Sequence, residues 1–338
     1  MSERQFMKRR WIITGANGYL GGELCKGLDL RGENVLGVIR SGRQLIDQKV
    51  TGKSCYTYEK LAATLLPSDI LVHCAGKTGS EGTWEEFLRI NVEWPLQLFD
   101  QAVEKGVTCF IYVSSVAALG YRNRTDDNPL KEDAEPRLAP GELYGRSKLL
   151  AEQALQNRAK EEKIRLVILR PGLIYGHRWL GKKQTWLRRG VLVDPYLRVP
   201  LVHVDNFLDA LYLAASKTEA AGIYFVVDDE QPPLWELNRK KIVLGLMRFQ
   251  PWRIGVSGFL VLNAVRMFVR VIRGQFRALP NGYSMAQFYF QTRRLLYSTE
   301  KLSTCVGWQP SIKLKDGLAE CIGQEITTQN YLPLVKNA

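Results

Sequence analysis

The sequence predicts an α/β fold: a doubly wound parallel sheet that carries a smaller, mostly helical C-terminal lobe. Three observations lead to this prediction. Short apolar runs of strand length alternate with helical segments, a glycine-rich turn joins the first run to the first helix, and the alternation ends after about residue 175. Strands and helices that alternate in this way build a parallel sheet with helices on both faces. A chain of 338 residues, 46% of them hydrophobic, is long enough for one large unit and a second lobe.

The strands are predicted where apolar residues form short uninterrupted runs. These runs cover residues 11–13, 34–39, 69–75, 108–113, 164–169 and 223–227. Helical periodicity places helices between them, over residues 23–30, 84–105, 144–162 and, after the segment 201–206, through 215. Residues 44–67 show neither pattern, and residues 130–141 are rich in proline and charge, which indicates a loop.

The first strand runs directly into a turn with glycines at intervals of three, Gly15, Gly18 and Gly21. A strand, a glycine turn and a helix together present backbone N–H groups and a helix N-terminus to a phosphate. The glycines permit a tight turn, close approach to a pyrophosphate, and close packing of helix on strand. The sequence therefore predicts a Rossmann-type dinucleotide site, with a glycine-rich turn that binds nothing as the alternative. The predicted contacts are Gly15, Asn17, Gly18, Tyr19, Leu20 and Gly21.

The end of the second strand indicates which dinucleotide is preferred. In a Rossmann-type fold an acidic residue there binds the ribose 2′-hydroxyl, whereas an arginine accommodates a 2′-phosphate. This chain has Arg40, with Arg43 close behind it. We therefore expect NADP(H) to be favoured, with NAD(H) as the alternative cofactor and an ordinary surface charge as the alternative role of Arg40.

The end of the alternation divides the chain into two predicted units. Residues 9–175 and 201–228 form the NADP-binding domain, and residues 176–200 and 229–330 form the substrate-binding lobe. Four of the eight tryptophans, at positions 179, 186, 235 and 252, fall in the part of this lobe before residue 253. Because aromatic side chains bury large apolar areas, the lobe suits a bulky, apolar or mixed small-molecule substrate better than a small polar acid.

The net charge of +13 is concentrated in one part of the chain. Nine lysines and arginines and no acidic residue lie between Leu237 and Arg277. Within this segment, residues 254–273 have the pattern of a basic amphipathic helix, which either packs in the lobe with its arginines in water or lies at an anionic membrane surface. No recognised binding motif accompanies the charge, so we expect no nucleic-acid partner. The sequence leaves a homodimer as an open alternative for the assembly of the protein.

The cysteines and the N-terminus indicate a cytoplasmic protein. Six cysteines are scattered without a CxxC pair, which predicts reduced thiols and no metal cluster of known spacing. The first ten residues lack an apolar leader segment, and no stretch of about 18 uncharged apolar residues is present. We therefore expect a cytoplasmic location, with a membrane-peripheral one as the alternative.

Ordered motifs along the chain match a known family. They are TGANGYLG at 14–21, HCAG at 73–76, Asn91, YVSS at 112–115, YGRSK at 144–148, RPGLIYG at 170–176, HVDN at 203–206 and VGWQP at 306–310. Over roughly residues 10 to 320 the chain resembles an extended short-chain dehydrogenase/reductase of the NAD(P)-dependent epimerase/dehydratase group, of the 3β-hydroxysteroid dehydrogenase and dihydroflavonol reductase types. The resemblance implies that Lys148 holds the nicotinamide ribose and that Asn91 steadies this lysine. It also implies that six further residues contact the cofactor, namely Ala75, Gly76, Ser114, Tyr144, Pro171 and Gly172.

Tyr144, Lys148 and Ser115 are suited to the chemistry of hydride transfer to a ketone. The alkoxide that forms needs a proton, and a phenol with a pKa of ~10 is a poor base for the reverse step. Tyr144 and Lys148 are four residues apart on one helical face, so the cation is expected to stabilise the phenolate and lower its pKa. Ser115, at a strand end, is expected to donate a hydrogen bond to the substrate oxygen. We therefore predict an NADP(H)-dependent oxidoreductase that interconverts a ketone and a secondary alcohol.

Two other functions stay open. One is a nucleotide-sugar epimerase with tightly bound NAD(P), and the other is a non-catalytic NADP-sensing or assembly protein. Dehydration is not expected, because Val116 and Ala117 follow Ser115 at the place where sugar-nucleotide 4,6-dehydratases have an Asp-Glu pair.

Five further residues have weaker assignments. His73 has apolar neighbours and is expected to pack in its strand, and His203 is expected to order a loop. Tyr175 and His177 are expected on the pocket side, as ligand contacts or as packing. Arg198 is expected to bind a substrate phosphate only if it points inward.

Overall fold

The computed structural model of the chain describes residues 9–39, 55–79, 82–122, 128–176, 191–192, 194, 196–245, 252–253, 255–272, 289 and 292–321. Five residues discussed above lie outside the described residues, so their assignments stay predictions: Arg40, Arg43, His177, Trp179 and Trp186.

A seven-stranded parallel sheet forms the centre of the molecule. The strands of the chain are β1 (Arg10–Thr14), β2 (Asn34–Ile39), β3 (Cys55–Thr57), β4 (Ile70–His73), β5 (Cys109–Val113), β6 (Arg165–Pro171), β7 (Leu173–Tyr175), β8 (Val191–Leu192), β9 (Leu201–His203), β10 (Gly222–Val226) and β11 (Trp252–Arg253). In space the large sheet is ordered β3-β2-β1-β4-β5-β6-β10. The order reverses between β1 and β4, the position at which Rossmann-type folds bind dinucleotides. The predicted doubly wound parallel sheet is therefore confirmed.

Helices connect these strands. They are α1 (Tyr19–Leu30), α2 (Tyr58–Leu61), α3 (Trp84–Leu88), a π-helical segment (Arg89–Glu93), α4 (Trp94–Glu104), a 3-10 helix (Val116–Leu119), α5 (Leu143–Ala159), α6 (Val204–Ser216), α7 (Leu234–Val243), α8 (Gly255–Ile272) and α9 (Glu300–Val306). Residues 314–321 are also helical. Throughout the described part of the chain, no helix is long and apolar enough to span a membrane.

The helices cover both faces of the sheet because neighbouring strand residues point to opposite sides. Trp11 and Ile13 of β1 pack on one face, in a buried cluster that includes Leu28 of α1 and Phe207 of α6. Ile12 packs on the other face, in a cluster whose helical members from α4 and α5 are Leu98, Phe99, Ala102, Ala151 and Leu155. The strands are therefore buried on both sides, which explains their uninterrupted apolar runs.

Three elements differ from the sequence prediction. Helix α1 begins at Tyr19 instead of residue 23, because the glycine turn ends at Gly18, which caps the helix. Strand β3 and helix α2 lie in the region 44–67 that showed no pattern, since elements of three and four residues are too short for a periodicity. The predicted helix 84–105 is interrupted by the π-helical segment.

The lobe has a small core built from distant parts of the sequence. Leu197 and Val199, from before β9, pack with Leu234 and Leu237 of α7 and with Leu314. Strands β8 and β11 pair in parallel. Residues of both segments predicted for the lobe thus meet in one cluster, and the division of the chain into two units stays a prediction. After the lobe the chain returns to the large sheet, where its core receives Leu302, Val306 and Trp308.

Candidate active site

The glycine turn after β1 is too tightly packed for side chains at two positions. Gly15 has a φ of +71°, and a Cβ on it would lie 3.0 Å from both the Cα and the backbone nitrogen of Ala75. A Cβ on Gly21 would clash with the carbonyl oxygen of Gly15. Glycine is therefore required at both positions, and the turn closes against the loop that follows β4.

The first turn of α1 begins at the carboxyl edge of the sheet. Gly18 caps the helix, and its N–H donates to the Gly15 carbonyl oxygen at 2.8 Å. The first N–H groups of a helix have no partner inside it, and the helix dipole there favours an anion. The first turn of α1 carries no acidic side chain that would repel one. Asn17, Tyr19 and Leu20 are partly exposed, so residues 15–21 form a cradle suited to a pyrophosphate.

Thr14 and His73 join the carboxyl ends of β1 and β4. Both side chains are buried, and Thr14 Oγ1 lies 3.0 Å from His73 Nδ1. Thr14 Oγ1 also accepts a hydrogen bond from the Ala75 N–H at 3.3 Å. Burial, with a smaller effect of the Lys148 charge, lowers the pKa of His73 to about 3. His73 is therefore a neutral, packed strand residue as predicted, and Thr14 is a site residue that the sequence reasoning did not single out.

Asn91 lies in the π-helical segment and ties two parts of the site together. Its side-chain oxygen accepts from the Lys77 N–H at 2.7 Å, and its amide donates to the Lys77 carbonyl and to Ser147 Oγ, both at 2.9 Å. Such π-helical turns occur frequently at functional sites. Asn91 thereby fixes the loop after β4 against α5, through Ser147, the residue before Lys148.

Gly76 lies between Asn91 and Lys148. A Cβ on Gly76 would be 3.3 Å from Asn91 Oδ1 and 3.6 Å from Lys148 Nζ. Two polar groups therefore flank a piece of bare backbone, which allows a ligand to approach closely.

Lys148 is a buried cation at the carboxyl edge of the sheet. Its Nζ donates to the Val113 carbonyl oxygen at 2.8 Å and lies 4.6 Å from the centre of the Tyr112 ring. Burial lowers the pKa of Lys148 to about 8, and the Glu152 carboxylate opposes this effect. At neutral pH the amine is thus mainly protonated. An ammonium has three donors, and Val113 takes one of them.

Tyr144 and Ser115 meet at the end of β5. Ser115 caps the 3-10 helix by accepting from the Ala117 N–H at 3.2 Å, and its side chain lies near that of Tyr144. Burial raises the pKa of Tyr144, and the nearby Ser115 hydroxyl opposes the rise. The sequence predicted that Lys148 would lower this pKa. The net shift is upward instead, because burial is its largest cause.

Gly145 brings Tyr144 to Ser115. A Cβ on Gly145 would clash with the carbonyl oxygen of Ala117, so the first turn of α5 packs directly against the 3-10 helix. The sequence reasoning did not select Gly145. A glycine inside a predicted helix is unfavourable for the helix, and that was the signal for a close contact.

A buried ion pair holds α5 against β6. Arg170 Nη2 lies 2.6 Å from Glu152 Oε2, and the two side chains are 3% and 1% exposed. Arg170 also donates to the Glu132 carbonyl oxygen at 2.9 Å. Loss of either partner would leave an uncompensated buried charge, so this pair rigidly positions the helix that carries Tyr144 and Lys148.

Ser114, Pro171 and Gly172 lie at the ends of β5 and β6. The Ser114 N–H donates to the Leu169 carbonyl oxygen at 2.7 Å, while its buried hydroxyl has no hydrogen-bond partner among the described residues. Pro171 ends β6, and a Cβ on Gly172 would clash with the Pro200 carbonyl oxygen. A buried hydroxyl without a partner is a group that a bound ligand can satisfy.

Three potential metal ligands, His203, Asp205 and Glu320, have ligand atoms within 4.8 Å of one another. His203 Nδ1 accepts from the Asp205 N–H at 3.3 Å and caps α6, and Nε2 lies 3.3 Å from the Glu320 carboxylate. The Nδ1 lone pair is thus engaged by the backbone of α6. His203 therefore orders the start of α6, in agreement with the expectation that it orders a loop.

Tyr175 and Arg198 lie close to the core of the lobe. Tyr175 is fully buried and packs edge-on against the His203 ring, with 5.2 Å between the ring centres. Arg198 Nη1 donates to the Gln231 carbonyl oxygen at 2.6 Å. Tyr175 is thus a packing residue, and the guanidinium of Arg198 is engaged within the lobe.

Comparisons with known proteins match the part of the chain that holds the candidate site. The model of the NAD dependent epimerase/dehydratase family matches residues 11–227, which contain the glycine turn, Asn91, Ser115, Tyr144 and Lys148. A UDP-glucose 4-epimerase of Vibrio cholerae is 26% identical over 249 residues, 66% of this chain and 71% of that protein. A 2-alkyl-3-oxoalkanoate reductase of Stenotrophomonas maltophilia is 26% identical over 250 residues, 67% of this chain and 72% of that protein.

A solved structure shares the fold over almost the whole chain. The crystal structure of gox2253 aligns with 95% of this chain and 98% of its own, with a TM-score of 0.77 and 21% sequence identity. The similarity therefore extends beyond the residues that the family model matches.

Proposed function

The chain belongs to the NAD dependent epimerase/dehydratase family, and on this basis we propose that it is an NADP(H)-dependent oxidoreductase that interconverts a ketone and a secondary alcohol on a bulky, apolar substrate. The observation that carries the proposal is that Tyr144 and Ser115 lie side by side. This pair lies at the sheet edge that also holds the glycine cradle and the buried Lys148 cation.

The residues along this edge fit a nicotinamide dinucleotide. The cradle of residues 15–21 suits the pyrophosphate. Toward the other end, Gly76 offers bare backbone, Ser114 a buried hydroxyl and Lys148 a cation. The chemistry supplied by the dinucleotide when bound is hydride transfer. The preference for NADP(H) over NAD(H) rests on Arg40 in the sequence.

Tyr144 is the proposed acid and base. During ketone reduction its hydroxyl gives a proton to the carbonyl oxygen while the carbonyl carbon receives the hydride, and the nearby Lys148 cation stabilises the phenolate that remains. Ser115 Oγ donates a hydrogen bond to the same substrate oxygen. Because burial raises the pKa of Tyr144, its protonated form prevails at neutral pH. That form is the acid required for reduction, whereas oxidation of the alcohol requires the phenolate.

The contact made by Arg198 bears on the choice between a reductase and a nucleotide-sugar epimerase. A nucleotide sugar carries two phosphates that need cationic partners, and Arg198 was the sequence's candidate for this role. Its guanidinium donates instead to the Gln231 carbonyl oxygen. The relatives alone do not decide, because an epimerase and a reductase are equally similar to this chain.

The test uses the purified full chain. With NADPH and a panel of ketones of increasing apolar size, we expect steady oxidation of NADPH, with a preference for bulky apolar ketones. Interconversion of UDP-hexoses by a copurifying cofactor, without net NADPH oxidation, would assign an epimerase instead. Cofactor binding without turnover in either panel would support a sensing or assembly protein.

A further inference from the structure

Helix α8 exposes a continuous row of apolar side chains. Val261, Val265, Phe268, Val269 and Ile272, which we call the α8 stripe, are exposed to 64%, 53%, 67%, 38% and 68%. Their spacing of three and four residues places them on one face of the 18-residue helix. Scattered exposed apolar residues are common on proteins, whereas a contiguous apolar row marks a surface that is covered in use.

The sequence around the α8 stripe is strongly basic. Helix α8 contains Arg266 and Arg270 and no Asp or Glu. The wider segment from Leu237 to Arg277 has nine lysines and arginines and no acidic residue. The surface that covers the stripe must therefore tolerate positive charge, and an anionic surface attracts it.

A lipid surface satisfies both requirements at once. Anionic headgroups attract the basic segment, and the acyl boundary beneath them receives apolar side chains. A helix of 18 residues is roughly 27 Å long at 1.5 Å per residue, and it is not apolar enough to cross a bilayer. Such a helix lies in the plane of the interface.

From the stripe and its charge we infer that α8 docks the protein on anionic membrane surfaces, with the α8 stripe inserted at the level of the acyl boundary. The inference is independent of the proposed chemistry, because it uses no residue of the candidate active site. It also favours the membrane alternative for residues 254–273 over a helix that hides its apolar side in the lobe.

The test is co-sedimentation of the full chain with lipid vesicles. We expect at least about tenfold more bound protein on vesicles of phosphatidylcholine with phosphatidylglycerol than on phosphatidylcholine alone. Raising the salt from about 0.1 M to about 0.5 M should weaken this binding, because salt screens the attraction. This comparison needs no variant.

A pair of matched variants tests the apolar contribution. Phe268→Ser with Ile272→Ser should lower vesicle binding by about tenfold or more. The control, Leu30→Ser with Leu66→Ser, removes two side chains that are 78% and 46% exposed elsewhere, and it should bind like the unmodified chain. Dinucleotide binding and thermal unfolding of each variant check that it is folded.

Four results would overturn the inference. Equal binding to neutral and anionic vesicles would show that charge does not contribute. Equal binding of the stripe variant and its control would show that the α8 stripe does not contribute. A dimer in sedimentation velocity that the stripe variant dissolves, without vesicle binding, would assign the face to a second copy. Binding to poly-glutamate but not to vesicles would assign it to an acidic protein.

Discussion

Tyr144 gains its proposed chemistry from its burial and from two neighbours, Ser115 and Lys148. Burial raises the pKa of its phenol, the nearby Ser115 hydroxyl opposes this rise, and Lys148 supplies a cation on the same face of α5. Lys148 in turn is held by the Val113 carbonyl oxygen. The proton at the phenol is thus available for a ketone oxygen, while the charge that its loss creates has a partner nearby.

Replacing Tyr144 with Phe should remove the acid while leaving the cofactor cradle intact. We expect turnover of the best ketone to fall about a hundredfold to ten-thousandfold, the range for loss of a general acid, while the Kd for NADPH changes little. The control is Tyr196→Phe, since Tyr196 is 52% exposed and is not part of the proposed site. Retained turnover in the Tyr144 variant would discard the proposed acid.

Arg40 determines the expected cofactor preference. Changing Arg40 to Asp removes a partner for the 2′-phosphate and adds an acceptor for the 2′-hydroxyl. We expect the ratio of NADPH to NADH affinity to fall by about ten- to hundredfold, as for the loss of a hydrogen bond to a charged group. Lys26→Asp changes the charge equally at an exposed position of α1 and should leave the ratio unchanged. An unaltered ratio in the Arg40 variant would contradict the assignment.

Two elements determine the geometry of the site. Helix α1 approaches β1 closely because Gly21 packs against the Gly15 carbonyl oxygen, and this directs its N-terminus to the edge where the cofactor is proposed. Helix α5 is fixed at its start by Gly145 and in its middle by the pair of Glu152 and Arg170. In both cases a glycine permits the backbone contact that places the functional groups.

Substituting Gly21 with Ala should separate α1 from the glycine turn, because the new methyl group meets backbone that cannot rotate away. We expect the unfolding free energy to fall by about 1–3 kcal/mol, as in overpacked cores, and the NADPH affinity to fall with it. Calorimetric titration and urea unfolding measure the two effects.

The matched control is Gly27→Ala on the same helix. The added methyl group there meets the end of the Leu208 side chain, which can change rotamer. Alanine is also the better helix former by about 0.5–1 kcal/mol. We expect this variant to bind NADPH normally, and equal losses in the two variants would refute the special role of the turn.

A hydrogen-bond network attaches the C-terminal part of the chain to the region around the end of β10. Asp228, just after β10, accepts from the His203 N–H at 2.9 Å and from the Asn206 amide at 2.8 Å. Asn206 in turn donates to the Ile312 carbonyl oxygen at 2.9 Å, and its own carbonyl accepts from the Trp308 indole at 2.9 Å. One buried polar network therefore joins the sheet to the returning chain.

Asp228 should make the stability of the protein depend on pH. Burial raises the pKa of its carboxyl from 3.8 to about 7, despite the hydrogen bonds it accepts. Between about pH 4 and pH 7 the unfolded state loses this proton while the folded state keeps it, so the unfolding free energy falls as the pH rises. The contribution is at most about 4 kcal/mol, from about three pKa units at about 1.4 kcal/mol each.

Asp228→Asn should remove this pH dependence, although it also weakens one of the hydrogen bonds. We subtract the unfolding free energy of the variant from that of the unmodified chain. We expect this signed difference to fall as the pH rises from about 4 to about 7. Urea unfolding across this range measures the difference, in which the titration of other groups such as His73 cancels. Asp229→Asn, at an exposed neighbouring position, serves as the control. A difference that does not vary with pH would contradict the assignment.

Local patterns were enough for the sheet and for most of the candidate site. Uninterrupted apolar runs located six of the seven sheet strands, since each of these strands is buried on both faces. The YGRSK motif placed Tyr144 and Lys148 on one helical face, because four residues make about one turn. Strand β3 was missed because three residues are too few for a pattern.

The direction of the Lys148 ammonium and the raised pKa of Tyr144 followed only from tertiary contacts. The sequence spacing put the cation near the phenol, but the Val113 carbonyl oxygen and the burial of the ring come from strands and loops that are distant in sequence. The same holds for Asn91, whose partners Lys77 and Ser147 lie 14 and 56 residues away.

The sequence by itself therefore determined the parallel sheet, the glycine cradle and the set of Ser115, Tyr144 and Lys148, since these depend on the period of the backbone and on residue types close together in the chain. Only the tertiary structure decided that Arg198 binds the Gln231 carbonyl, that His203 caps α6, and that the α8 stripe is exposed. Hydrogen-bond partners and burial depend on which distant segments meet, and no local pattern encodes that.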